Sequence, residues 1–239
     1  MNSSGAPFAN AARNLRQLRS SPASWACVAV VLAIQLVVTA AGGPDQQPAW
    51  RWFEWFGLSR GGVLSGRIWQ VFSYGLLHGG WIHVVMNSLL ILLVGSRVEH
   101  MTGQATMMKA VIFGILGGGL GHLTLAPGGQ GAPLLVGLSG GCLALLLLTT
   151  TLSPQSRMMP LFVSGRVLGF AVLTVELAMA LMEPVMGIVG FSHVGHACHF
   201  GGGLAGWAYG RWLLRPRVSL KRLRRDRERR EAGSIRRLD

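Results

Sequence analysis

The chain has 239 residues, of which 50% are hydrophobic and 13% charged, and its formal net charge is +13. Soluble domains carry about a quarter charged residues, so this composition excludes an ordinary soluble enzyme and fits a polytopic membrane protein with about one domain's worth of chain. The basic excess lies mainly in two end segments beside apolar stretches, which membrane topology explains better than nucleic-acid binding.

Residues 1–24 are polar and carry Arg13, Arg16 and Arg19 without an acid. The first apolar span follows at 25–41. A cleaved signal peptide would share its basic start and its small residues at Ala40 and Ala41, but the apolar run exceeds the usual signal core of ~7–15 residues. A transit peptide would share the arginines and serines, but the segment is short. Residues 43–68 form a long connection with Trp50, Trp52, Phe53, Trp55 and Phe56 beside Arg51, Glu54 and Arg60. Such density suits a segment at headgroup level rather than a span; a loop with ordinary buried aromatics is the alternative.

The second span is expected at 78–98 and the third at 107–125, with a Gly/Pro-rich loop, APGGQGAP, after it. The fourth runs over 139–152, the fifth over 161–182 with a stop at Pro184, and the sixth over 195–214. Residues 215–239 form a tail with eleven Lys/Arg against four acids. Lysines and arginines mark the N-terminus, the 97–109 and 153–166 loops and the tail, whereas the 126–136 and 184–195 loops have none. The positive-inside rule then places both ends in the cytoplasm. The expected organisation is a cytoplasmic segment at 1–24, a six-helix membrane domain at 25–214 and a cytoplasmic tail at 215–239. The fold class is all-α, and the location is an integral position in a membrane of the bacterial inner (plasma) type. The tail is expected to lie on anionic lipid, each basic residue contributing about 1 kcal/mol near the surface. No aromatic residues interleave there, so no nucleic acid is expected.

Polar residues interrupt the apolar spans at one depth. His83 and Asn87 lie one helical turn apart. Ser139 opens the fourth span, and His199 lies in the sixth. At 1.5 Å per residue, Asn87, Ser139 and His199 stand roughly 15, 21 and 18 Å from the cytoplasmic ends of their spans. The fourth span is too short to cross a ~30 Å hydrocarbon core, so its outer end must begin within the membrane. A helix that starts at depth starts in a protein-lined cavity that holds water. Gly202 and Gly206 make a small-residue face below His199, and Gly140 and Gly141 follow Ser139. Two glycine-faced helices pack backbone to backbone, which could bring serine and histidine within the ~2.6–3.2 Å that a nucleophile and its base require.

Three stretches carry a family resemblance: HGGWIHVVMN (His78 to Asn87), GLSG (Gly137 to Gly140) and HFGGGLAG (His199 to Gly206). In order and spacing they resemble the rhomboid intramembrane serine proteases, over about residues 60–214. The resemblance implies a Ser139 nucleophile and a His199 general base acting as a dyad with no acid. It implies an oxyanion hole from His83, Asn87 and the Ser139 backbone N–H, and glycine packing at Gly137, Gly140, Gly202 and Gly206. His78 would lie nearer the surface and help hold water, and Glu99 would be a structural acid. Substrates would be single-span membrane proteins, admitted beside the fifth span, with the 184–198 loop as a cap. Two positions depart from the family. Trp69-Gln70 replaces the usual Trp-Arg, leaving that arginine's structural role unfilled. Leu143 replaces an aromatic that would stack on the histidine.

Other readings of the same residues are weaker. His193, His196 and His199 are spaced by three, but in sequence only Cys198 stands beside them as a further ligand, so no metal or cofactor is expected. Cys27, Cys142 and Cys198 sit in apolar stretches without metal-site spacing and are expected as free buried thiols. GLSGG also fits the α/β-hydrolase elbow, with HGG like its oxyanion turn and Glu176 or Glu183 and His199 following in the right order, but that fold needs a strand before the serine. A non-cleaving rhomboid-like protein that binds membrane helices is the non-enzymatic alternative, although such proteins usually lack the serine or the histidine.

Overall fold

The computed structural model describes residues 17–126, 134–158, 162–186, 195–216 and 222–228. Expectations for residues 1–16, 127–133 and 187–194 (including His193), and for most of the basic tail, fall outside the described residues.

The elements in chain order are α1 (Pro22–Ala40), α2 (Ala49–Phe56), α3 (Arg60–Leu64), α4 (Gln70–Ser73), α5 (Trp81–Thr102), α6 (Gln104–Leu125), α7 (Ser139–Leu152), α8 (Gly165–Met186) and α9 (His196–Leu213). A two-stranded antiparallel hairpin, β1 (Arg157–Met158) with β2 (Val163–Ser164), joins α7 to α8. Four described helices, within α1, α5, α6 and α8, are long and apolar enough to cross a membrane. The shorter α7, of 14 residues, is apolar too. At ~1.5 Å per residue it covers about 21 Å, less than the hydrocarbon thickness.

Several boundaries differ from the sequence expectation. The second span starts at Trp81 rather than at position 78, because Gly79 and Gly80 precede the helix. A π-helical turn, Ile91–Gly95, interrupts α5, a register change that no residue type announces. The fifth span continues to Met186 instead of stopping at Pro184.

Helices α6, α7 and α9 form the centre, and glycines set their separation. A methyl group added at Gly202 would lie 2.3 Å from the carbonyl oxygen of Gly140, and one at Gly201 2.2 Å from that of Gly117. Helix α8 packs on α7 and α9, and α1 packs on α5. Outward faces carry exposed apolar side chains such as Ile82, Leu120 and Phe170, as lipid contact requires.

Two polar clamps hold the periphery. Buried Glu99 on α5 accepts hydrogen bonds from Ala23 N (3.1 Å), Ser24 N (3.0 Å) and Ser24 Oγ (2.9 Å). The first backbone N–H groups of α1 lack intrahelical partners and form its positive dipole end, so a carboxylate satisfies both needs. Glu99→Ala is expected to cost about 3 kcal/mol through loss of charged hydrogen bonds. At ~2–4 °C per kcal/mol for this chain length, the unfolding midpoint in detergent should fall by roughly 10 °C.

Gln70 supplies the second clamp. Its side chain is fully buried; Nε2 donates to the carbonyls of Glu54 (2.9 Å) and Trp55 (3.3 Å), and Oε1 accepts from Ser59 N (3.3 Å). The expectation of an unfilled role at this position is therefore corrected: a neutral amide ties down the 49–66 connection without burying a charge. In that connection α2 buries Ala49 and Phe53 and exposes Trp50, Trp55 and Phe56.

Candidate active site

Ser139 stands at the first position of α7, and three of the four residues before it are fixed by hydrogen bonds. Leu135 exchanges two backbone hydrogen bonds with Leu58 (2.9 and 3.0 Å). Gly137 N donates to the Tyr74 carbonyl (3.0 Å), and Leu138 N donates to His78 Nε2 (3.3 Å). Gly137 has φ +120°, which L side chains avoid, and a Cβ there would lie 2.6 Å from the His83 ring. This glycine, grouped in sequence with the helix-packing residues, thus serves a turn and the close approach of an imidazole. Gly140, Gly202 and Gly206 do lie at helix contacts.

His83 and Asn87, one turn apart on α5, converge on Gly137, two residues before Ser139. The buried Asn87 Nδ2 has no hydrogen-bond partner among the described residues. The thiol of Cys142 lies against the same residue, 3.6 Å from its carbonyl oxygen and 3.7 Å from Oδ1. That contact leaves the amide nitrogen as the free end. Cys142 was expected only as a buried thiol; its position one turn after Ser139 was the signal for this role. His78 precedes the first residue of α5 and its side chain is buried. Its ring meets His83 edge-on at 5.0 Å, and its hydrogen bond to Leu138 N makes it a support for the Ser139 turn.

His199 reaches the same level on α9. Gly140, beside Ser139, meets Gly202, one turn below His199. Cys198, the neighbour of His199, also lies against Gly140. His83 is close enough to His199 to interact with it electrostatically. Ser139 and His199 are both half-buried, and among the described residues no hydrogen bond joins them. Leu143 sits half-buried against the apolar core.

The polar partner that His199 does have was set aside in sequence together with the α/β-hydrolase reading. Glu176 of α8 lies 3.2 Å from His199 Nδ1 through Oε1, and 2.8 Å from His196 Nδ1 through Oε2. This corrects the expectation that no carboxylate stands beside these histidines. Ligand atoms of Glu176, His196 and His199 all lie within 4.8 Å of one another. The residue types suit a divalent ion, and the same contacts read equally as two hydrogen bonds between Glu176 and the imidazoles. An ionisable residue inside an apolar helix was the available signal, because a charge in lipid is costly.

A helix that starts inside an apolar bundle, with a hydroxyl, two imidazoles and an amide gathered at its start, defines an integral membrane protein with an enclosed polar site. A family model described as Rhomboid domain matches residues 65–216, and the chain belongs to the rhomboid family. It is similar to RHOMBOID-like protein 5 of Arabidopsis thaliana, with 29% identity over 158 residues, 66% of this chain and 48% of the relative. The chain thus spans about half the length of that curated relative.

Proposed function

We propose that the chain is an intramembrane serine endopeptidase that cleaves single-span membrane proteins. The observation that carries this reading is the unpartnered Asn87 amide facing the turn before Ser139, with His199 brought to the same depth by the Gly140–Gly202 contact. In the proposed reaction His199 Nε2 takes the Ser139 proton as Oγ attacks the scissile carbonyl carbon. The negative oxygen that forms is held by Asn87 Nδ2, His83 and the Ser139 backbone N–H at the positive end of α7. His199 then returns the proton to the leaving amine, and water releases the acyl group. Hydrolysis needs water at the start of α7, where His78 holds the turn before Ser139 through Leu138 N.

The proposed topology has six spans, α7 and α9 completing the set, with both ends in the cytoplasm of a bacterial plasma membrane. Substrate helices hide their carbonyls in hydrogen bonds and must unwind locally, which favours Gly or Pro near the cut. They come in beside α8, whose apolar window has the lowest buried share of the candidate spans, 17%.

The competing reading is a rhomboid-like protein that binds membrane helices without cutting them. The lack of a Ser139–His199 hydrogen bond favours it, although such contacts often tighten only with substrate. A fluorophosphonate probe separates the two. It should label the purified wild-type protein at Ser139, located by peptide mass spectrometry, and leave His199→Ala unlabelled. Wild-type protein that stays unlabelled would sink the protease reading.

A further inference from the structure

Glu176 needs an explanation that the serine–histidine pair does not supply. Its carboxylate sits in an apolar helix with a side chain 17% exposed, and each oxygen takes one imidazole. The two rings belong to residues three apart on α9 and meet edge-on at 6.2 Å. An ionised carboxylate only accepts hydrogen bonds, so both facing Nδ1 atoms carry protons at these contacts. A neutral histidine with its proton on Nδ1 has a bare, basic Nε2.

We propose that Glu176 is a positioning residue for His199. It holds the ring in the Nδ1–H tautomer, turns Nε2 toward Ser139 and balances the charge of the imidazolium that forms when Ser139 is deprotonated. His196, at 2.8 Å, is the nearer of the two imidazoles and fixes the second oxygen, so the carboxylate cannot rotate away. The groups around the carboxylate are His196 and His199 on α9, with Cys198 between them. His83 of α5 also interacts electrostatically with His199, and Glu183 of α8 with His196. The serine–histidine pair becomes a triad whose acid comes from a third helix, the same division of labour as in soluble serine hydrolases.

The inference rests on the protease reading, and its test has one arm that does not. With full-length protein in liposomes and a single-span reporter, Glu176→Gln is expected to lower kcat on the order of 10²–10⁴-fold, the range of proton-transfer and tautomer effects. KM should stay within about twofold, because the carboxylate does not touch substrate. Glu176→Asp should recover part of the rate. Treatment with EDTA should leave the wild-type rate unchanged. In protein labelled with ¹⁵N-histidine, the ring shifts of His199 should report the Nδ1–H tautomer in wild type and its loss in Glu176→Gln. A wild-type kcat in Glu176→Gln would overturn the proposal while leaving Ser139 as nucleophile. Parallel changes in kcat and KM with a lowered melting temperature would reduce Glu176 to a tie between helices and overturn it too. So would a chelator-sensitive rate restored by Zn²⁺. A wild-type His199 found as the Nε2–H tautomer would overturn it whether or not the protein cleaves anything.

Discussion

Ser139→Ala and His199→Ala should each reduce reporter cleavage to background, and the double variant should be no slower than either alone. A hydroxyl is a weak nucleophile at neutral pH until a base takes its proton, and a base without a nucleophile has nothing to activate. Groups that act as one unit lose their whole effect with the first deletion, so the two losses do not add. The half-buried position of Ser139 makes the alanine change mild for packing. Ser139→Ala should therefore melt within about 1 °C of wild type, as changes away from packed features usually do. Cleavage by Ser139→Ala at a tenth or more of the wild-type rate would remove serine catalysis from consideration. His196→Ala should behave differently. It loosens the Glu176 carboxylate but leaves nucleophile and base in place, so it should retain measurable cleavage.

The second large effect concerns folding. Gly206→Val should abolish the folded bundle, seen as aggregation on extraction into detergent and loss of any cooperative thermal transition. A Cβ at position 206 would lie 2.1 Å from the Ala144 carbonyl oxygen and 2.5 Å from Ala144 Cα. Ordinary contact is ~3.5 Å, so α7 and α9 would have to part by about 1.4 Å at that point. The obstructing atoms are backbone, so trimming Ala144 to glycine offers no relief. The same separation would pull Gly202 from Gly140 and with it His199 from Ser139. Gly61→Ala is the control: nothing lies within 4 Å of the added carbon, and alanine is the better helix former, so stability should hold or rise slightly. A Gly206→Val protein that melts like wild type would mean the two helices do not meet there in the membrane.

Much of this arrangement could be read from residue order, for reasons specific to each residue. Ser139 stood out because a hydroxyl between glycines breaks an apolar run, and α7 begins there. His83 and Asn87 were assigned one face by helical spacing, and they do meet at Gly137. Glu99 was singled out beside a span end, but nothing local told that its partners were Ala23 and Ser24, some 75 residues earlier. Gln70 was read as a gap because a charge was the expected occupant, whereas backbone carbonyls and one N–H were the groups to satisfy. Glu176 and His199 were met together only in the chain order of an α/β-hydrolase triad; nothing local told that they touch, because they lie on different helices, 23 residues apart, where no periodicity links them.

The carboxylate on α8 also has a mechanical meaning. Near its start that helix is held close to α7: a Cβ at Gly165 would touch the Ser153 carbonyl, and one at Gly169 the Thr150 hydroxyl. Further along, Glu176 grips two imidazoles of α9. A rod hinged at one end and latched partway along is a lever. Swinging its far end outward to admit a substrate helix would release the latch and leave a carboxylate facing lipid without a donor, a cost that drives the rod shut again. While the latch is open, His199 has lost its anchor. On the proposed protease reading, loading and cutting would therefore alternate, and a helix that lodges without letting α8 return would be held uncut.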